Sequence, residues 1–315
     1  MKVIGFIALI AGLSGTGMAV AQSGSPLSSA GGMYLKGYIG LGYYDLGGGD
    51  NSGFFRLDAD TGMRPSDGMG LGFNLGVEAL GDDTDTYSAL YPTVSYGTQF
   101  GTFSVGVPRF LLDRDYLPEY HFANVNYVDQ EFRLLWGSIS GSRYLFASND
   151  TPYGLRYDGV FGNTKVGATY HHYDNSNVDV YSAAIRNEQD MIGSFEQVAF
   201  FAGVEHLRST SSDITSFRVG AEGRTDKLTT GILYSDVGFP LDSSGGALYA
   251  EYRLMDNLIL NGSLAHIHTS TDITFIGGGV EYRFLNEKAY AKASVLRSDD
   301  SGADTTWEAS VGFRF

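Results

Sequence analysis

Apolar and polar residues alternate with a period of two along most of this chain. In the last segment Trp307, Ala309, Val311, Phe313 and Phe315 alternate with Glu308, Ser310, Gly312 and Arg314. Successive side chains of a strand point to opposite faces, so one face here is apolar and the other polar or small. The same phase recurs upstream. Phe217, Val219 and Ala221 oppose Arg218, Gly220 and Glu222; Leu248, Ala250, Tyr252 and Leu254 oppose Tyr249, Glu251 and Arg253; Ile276, Val280, Tyr282 and Phe284 oppose Gly277, Gly279, Glu281 and Arg283. Near the start Leu35, Ile39, Leu41 and Tyr43 oppose Lys36, Tyr38 and Gly40, and Phe55, Leu57 and Ala59 oppose Arg56, Asp58 and Asp60. Each segment runs for roughly ten residues, the length at which a tilted strand crosses a bilayer.

The connections form two alternating groups. The short ones are Gln99–Gly101, Phe161–Asn163, Arg224–Lys227, Met255–Asn257 and Phe284–Glu287. The longer, more polar ones are Leu46–Gly53, Gly81–Thr86, Asp174–Asn177, Ser209–Ser212, Val237–Gly245, Thr269–Thr271 and Ser298–Asp304. Short turns on one rim and longer loops on the other describe a transmembrane antiparallel β-barrel. Counting back from Phe315 places every tight turn on one rim. The weakest alternation is in Val178–Arg186, taken as a strand and followed by a connection over Asn187–Ser194. The total is about sixteen strands, an even number as bacterial barrels require. The last strand is expected to close on Met33–Tyr44, because a barrel in lipid has no free edge.

The N-terminus adds a compartment. Met1 and Lys2 precede the apolar run Val3–Leu13, and Ala19-Val20-Ala21 is an A-x-A cleavage site. Residues 1–21 therefore read as a secretory signal peptide, and 22–315 as one barrel domain. No other stretch approaches the length of a membrane-spanning helix. The chain has 43 Gly, 21 Tyr, 20 Phe and no Cys, so an exported form is held without disulfides. Mean hydropathy is only −0.10 although 43% of residues are hydrophobic, as alternation rather than apolar runs would give. The net charge of −15 and absence of a basic stripe exclude nucleic acid as a partner.

One connection breaks the pattern. About forty residues, 110–151, separate the expected strands Thr102–Arg109 and Pro152–Phe161, and a segment this long is usually functional. Its first half carries Asp113, Asp115, Glu119, Asp129 and Glu131 among Tyr116, Tyr120, Phe122, Tyr127 and Trp136. The run Tyr96-Gly-Thr-Gln-Phe-Gly-Thr-Phe-Ser-Val-Gly-Val107 resembles the hairpin of Gram-negative general diffusion porins. Gly312-Phe-Arg-Phe315 and a long third outer loop after the fifth strand resemble them too. The chain lacks the Pro-Glu-Phe-Gly-Gly turn of some members; Pro118-Glu119-Tyr120 matches it in part.

The resemblance implies a sixteen-stranded, homotrimeric channel of the cell outer membrane, passing small hydrophilic solutes by passive diffusion. It implies that loop 110–151 folds into the lumen and sets acids against a basic wall. The acidic candidates are Asp113, Asp115, Glu119 and Asp129; the basic ones, at inward positions, are Lys36, Arg56, Arg156, Arg218, Arg253 and Arg283. It also makes Phe315 the signal read by the barrel-assembly machinery. Outer-membrane lipids are the remaining expected partner. Opposed charges at a constriction bias ion selectivity and favour polar solutes.

Other chemistry is thinner. Gly81–Asp85 and Asp174–Asp179 group oxygen ligands of the calcium type, but neither has EF-hand spacing, so solvated turns are preferred and no cofactor is expected. His171-His172 and His266-x-His268 lack a placed third metal ligand. Gly277–Gly279 is followed by neither helix nor Lys, so it is no phosphate loop. No Gly-x-Ser-x-Gly elbow appears, and Ser263 and His266 fall on opposite faces, which argues against an enzyme. A substrate-specific outer-membrane channel is the alternative, to be marked by an aromatic ladder or an arginine track of one sign; the mixed inner face favours a general pore.

Overall fold

A computed structural model describes residues 32–45, 51–64, 68–82, 86–117, 138–139, 141, 150–210, 213–238, 242–269, 272–299 and 305–315. The expected signal peptide, Glu119, Asp129 and the acidic turn at 83–85 lie outside the described residues. The strands are β1 Gly32–Asp45, β2 Asn51–Arg64, β3 Gly70–Asp82, β4 Thr86–Thr98, β5 Gly101–Gly106, β6 Tyr153–Phe161, β7 Thr164–Tyr173 and β8 Val178–Ile192. They continue as β9 Phe195–Arg208, β10 Asp213–Arg224, β11 Leu228–Val237, β12 Ser243–Met255, β13 Leu258–His268, β14 Asp272–Phe284, β15 Ala289–Ser298 and β16 Thr306–Arg314. Among the described residues, a short helix, α1 Leu111–Arg114, lies between β5 and β6.

Every strand pairs antiparallel with the one before it, and β16 returns to β1, closing the sheet. The closing register runs from Asp45 opposite Trp307 to Tyr38 opposite Arg314. This is the expected closure on Met33–Tyr44. With no edge left, the ladders satisfy the strand backbone without water, the condition for crossing lipid as a sheet. The tight connections 99–100, 162–163, 225–227, 256–257 and 285–288 all fall at one rim. Gly162 and Gly193 at φ 58° and 63° supply left-handed turn positions there, and Leu285, Asn286 and Glu287 adopt the same region.

Two segments depart from the sequence-based expectation. β8 continues to Ile192, so most of Asn187–Ser194 is strand and only 193–194 turn. Residues 187–192 are polar on both faces apart from Met191 and Ile192, so their pairing with β9 leaves no alternation to detect. β5 stops at Gly106 rather than running to Arg109. Val107 N–H makes a last bond to the Pro92 carbonyl at 2.8 Å, and Pro108 has no N–H to continue the ladder.

The outward face is apolar: Leu71, Val94, Leu155, Ile232, Ile276 and Val311 are exposed on the exterior. The main core sits inside the barrel instead. There Phe110, Leu111, Leu112, Tyr116 and Leu117 pack with Val180, Phe201, Leu233 and Ile267 from the wall. A loop base, rather than a second sheet, fills that side of the lumen.

Candidate functional site at the lumen constriction

After β5 the chain turns inward and is fixed at several points. The Pro108 carbonyl accepts a hydrogen bond at 2.8 Å from buried His171 Nε2, whose ring stacks on Phe110 at 4.0 Å. Arg109 crosses to the wall of β2 and β3. Its Nε lies 2.9 Å from Asp60, one Nη 2.9 Å from Asp58, and the other 3.8 Å from Glu78. It also reaches the Ala59 and Val77 carbonyls at 3.1 and 3.3 Å and lies over the Tyr91 ring. Burial alone would lower the Arg109 pKa, but Asp58, Asp60 and Glu78 overcome it and hold the guanidinium above its ordinary value.

The following turn is seated on glycines. Gly76, Gly167 and Gly203 all face inward, and a Cβ at these positions would collide with Arg109, Tyr116 and Leu112 respectively. Three inner-face glycines are therefore sockets for the loop. The Tyr116 hydroxyl sits 2.8 Å from Asp158 and 2.7 Å from the Val166 carbonyl. Burial first, and Asp158 next, raise its pKa well above the ordinary phenol value.

The return of the loop is caught by buried carboxylates. Glu205 accepts Ser138 Oγ and Ile139 N–H, each at 2.7 Å, and Ser182 Oγ at 3.1 Å. Asp113 accepts Ser138 N–H at 2.8 Å. At the exit Asp150 accepts the N–H and Oγ of Ser176, both at 2.8 Å.

Of the sequence-predicted residues, Asp115 and Arg156 meet directly at 2.5 Å. Arg156 also pairs with Asp158 at 2.7 Å and donates to the Arg109 carbonyl at 3.1 Å. Lys165 donates to the Asp115 carbonyl at 3.2 Å and lies over the Tyr116 ring. Lys36 stands 3.9 Å from Asp60. Arg56 is buried over the Tyr38 ring, and Arg218 is buried with its Nη1 donating to Ser216 Oγ at 2.7 Å. Arg253 and Arg283 lie by the tight-turn rim, where Arg283 pairs with Glu281 at 2.6 Å. Phe315 is bonded both ways to Gly37 at 2.9 Å, and its side chain packs on Leu57, Ala59 and Val77.

The histidine pairs do not converge. His171 is buried inward, whereas His172 binds Asp179 at 2.8 Å. Outside, His266 bonds Thr274 and His268 bonds Asp272.

Beneath the loop lies a cavity of about 190 Å³ whose lining includes Lys36, Asp60, Arg109, Asp115, Arg156 and Lys165. Charges of both signs thus border one space. Arg109, Lys165, Asp58, Asp158 and Glu205 were not singled out from sequence. Arg109 read as a strand end; its signal was a Pro-Arg step opening a long loop, set against surplus acids on β2.

Comparison with solved structures places the same fold in two engineered variants of the Rh. blastica porin. Both are 19% identical, with TM-scores of 0.66 and 0.67, covering 90% of this chain and 100% of theirs. A loop-deletion mutant of OmpT, an outer membrane protein of Vibrio cholerae, gives a TM-score of 0.62 at 18% identity, covering 91% of this chain and 100% of that one. No family model and no curated protein matches the sequence.

Proposed function

We propose that this chain is an outer-membrane porin, a water-filled channel through which small hydrophilic solutes and ions diffuse passively. The observation that carries the reading is a closed sixteen-strand barrel, apolar outside, whose charged lumen is narrowed by an inward, multiply anchored loop. An apolar exterior suits lipid, and a charged interior stays solvated. The likeness to porin structures supports this reading. No chemistry is required of the protein, so it is a channel rather than an enzyme.

In this reading residues 1–21 direct export and 22–315 form the barrel. The charges at Asp113, Asp115, Glu119 and Asp129 are set against the basic wall, which Asp115 meets directly at Arg156. A homotrimer in outer-membrane lipid, inserted by machinery that reads Phe315, completes the proposal.

The test is planar-bilayer conductance with a salt gradient. Current steps grouped in threes support a trimeric channel, and the reversal potential reports ion preference. Complete absence of steps from folded protein overturns the reading.

A further inference from the structure

The cavity beneath the loop has a second wall, made of neutral groups. β4 turns Thr93 and Ser95 inward and β5 turns Thr102 and Ser104 inward, because Val94, Tyr96, Phe103 and Val105 beside them are exposed on the exterior. All four line the cavity. Ser95 stands directly opposite Ser104, Thr93 opposite Gly106 and Thr102 opposite Gly97. The hydroxyls therefore run as a staggered row in the order Thr93, Ser95, Ser104, Thr102, and the two glycines leave its flanks without side chains. Facing residues of a strand pair lie about 5 Å apart and alternate residues of one strand about 7 Å, so one small solute can touch several members of the row.

These hydroxyls are not spent inside the protein. Among the described residues none of the four has a hydrogen-bond partner, and all are half-buried. Hydroxyls elsewhere in the lumen differ: Thr98 Oγ1 donates to the Gly101 carbonyl at 2.9 Å, and Ser138 and Ser182 donate to Glu205. Asn74, opposite Thr93, extends the row onto β3 and also lines the cavity. Its Oδ1 accepts the Tyr34 hydroxyl at 2.5 Å, which leaves the two N–H donors of the amide for a solute.

The charges beside the row are already matched. Arg156, opposite Ser104, is held by Asp115 and Asp158. Asp158, opposite Thr102, accepts Arg156 on both oxygens and Tyr116 on one of them. Arg109 is closed by Asp58, Asp60 and Glu78. Lys36 stands by Asp60, and Lys165 is capped by the Asp115 carbonyl and the Tyr116 ring. An ion lodging here would have to part these pairs, whereas a neutral solute would not. A hydroxyl both donates and accepts, so a polyol matches a wall of hydroxyls and an amide. A closed cavity of roughly 150 Å³ takes one benzene ring; at about 190 Å³ this one has room for one sugar ring.

We propose that this row is a carbohydrate-binding subsite: one sugar ring lodges under the loop against Thr93, Ser95, Ser104 and Thr102, with Asn74 at its edge. The inference rests on the channel reading and deepens it by naming a solute class. A passing sugar is retained by the row. A polyether of the same size accepts hydrogen bonds but donates none along its length, so it is sieved by size alone.

The experiment uses the full-length protein in planar bilayers in KCl, with glucose titrated beside a polyethylene glycol of matched hydrodynamic size. In wild type, glucose should lower the ion current saturably and add current noise, whereas the glycol should lower it only in proportion to bulk conductivity. Ser95→Ala with Ser104→Ala should raise the half-blocking glucose concentration about tenfold, as the loss of two neutral hydrogen bonds would give. Ser95→Thr with Ser104→Thr keeps both hydroxyls and should stay close to wild type. Thr215→Ala, on the exterior, should leave the block unchanged. Equal block by glucose in wild type and in a conducting alanine variant overturns the subsite. So does a wild-type channel that treats glucose and the glycol alike, a result that needs no variant to assemble. A wild-type protein that conducts nothing overturns the channel reading itself, whereas steps without saturable glucose block overturn the subsite alone.

Discussion

Replacing Arg109 with Met should loosen the constriction and change ion preference together. Arg109 lies between Asp58, Asp60 and Glu78, with two contacts at 2.9 Å and one at 3.8 Å. Side-chain exposure is 11% for the arginine and 9%, 6% and 2% for the acids, so water screens these pairs little. Removing one partner of a buried pair costs about 3–5 kcal/mol, because the other charge stays buried. That corresponds to a factor of roughly one hundred to several thousand in the population of the anchored state. Met keeps the volume, so the loss is electrostatic. The lumen would gain uncompensated negative charge on β2 and β3. The assay is the reversal potential under a KCl gradient, with thermal unfolding of the detergent-solubilised barrel beside it. Expected are a shift toward cation preference, noisier current and a lower unfolding temperature. Adding Asp58→Asn and Asp60→Asn should restore much of the stability by removing two of the buried carboxylates that Arg109 held. An unchanged reversal potential and unfolding temperature in Arg109→Met would refute the clamp.

Four further outcomes are expected. Gly203→Val should drive Leu112 from its socket and enlarge single-channel conductance, with little effect on assembly; conductance equal to wild type would count against the socket. Neutralising Asp113, Asp115 and Glu119 together should shift selectivity toward anions, and an unmoved reversal potential would remove the loop from the selectivity mechanism. Deleting Phe315 should reduce the yield of assembled barrels more than the conductance of those that form, since its ring packs on Leu57, Ala59 and Val77. The raised Tyr116 pKa means its contribution is fully present below the ordinary phenol value of about 10 and is lost only as pH rises through the higher folded value. Wild type and Tyr116→Phe should therefore share one conductance profile through about pH 10.5; a transition near pH 10 in wild type that is absent in Tyr116→Phe would contradict the burial argument.

Strand number, the common rim of the tight turns and the closing pair were legible because lipid and lumen impose opposite demands on alternate residues. That signal fades where the demands end. Residues 187–192 of β8 pair with β9 while carrying Asn187, Glu188, Gln189 and Asp190, so pairing continues where the apolar phase has stopped. The β5 boundary was set by Pro108, whose missing N–H outweighs the β-character of Val105 and Val107. In the lumen, Asp115 was found because acids crowd its loop. Arg109 and Glu205 were not, because each works through a partner more than forty residues away, a distance periodicity does not reach.

The anchored loop also has a mechanical consequence. β5 is the shortest stave of the hoop: it meets β4 over six residue pairs and β6 over five, where β1 and β2 share fourteen. Strain on the ring should concentrate there. Arg109 grips carbonyls of β2 and β3, while its own carbonyl is held by Arg156 of β6 and that of Pro108 by His171 of β7. The loop thus splints the ring across its weakest joint, tying β2–β3 to β6–β7 past the short stave. A variant selected for a wider opening at this point would also have a barrel more prone to split.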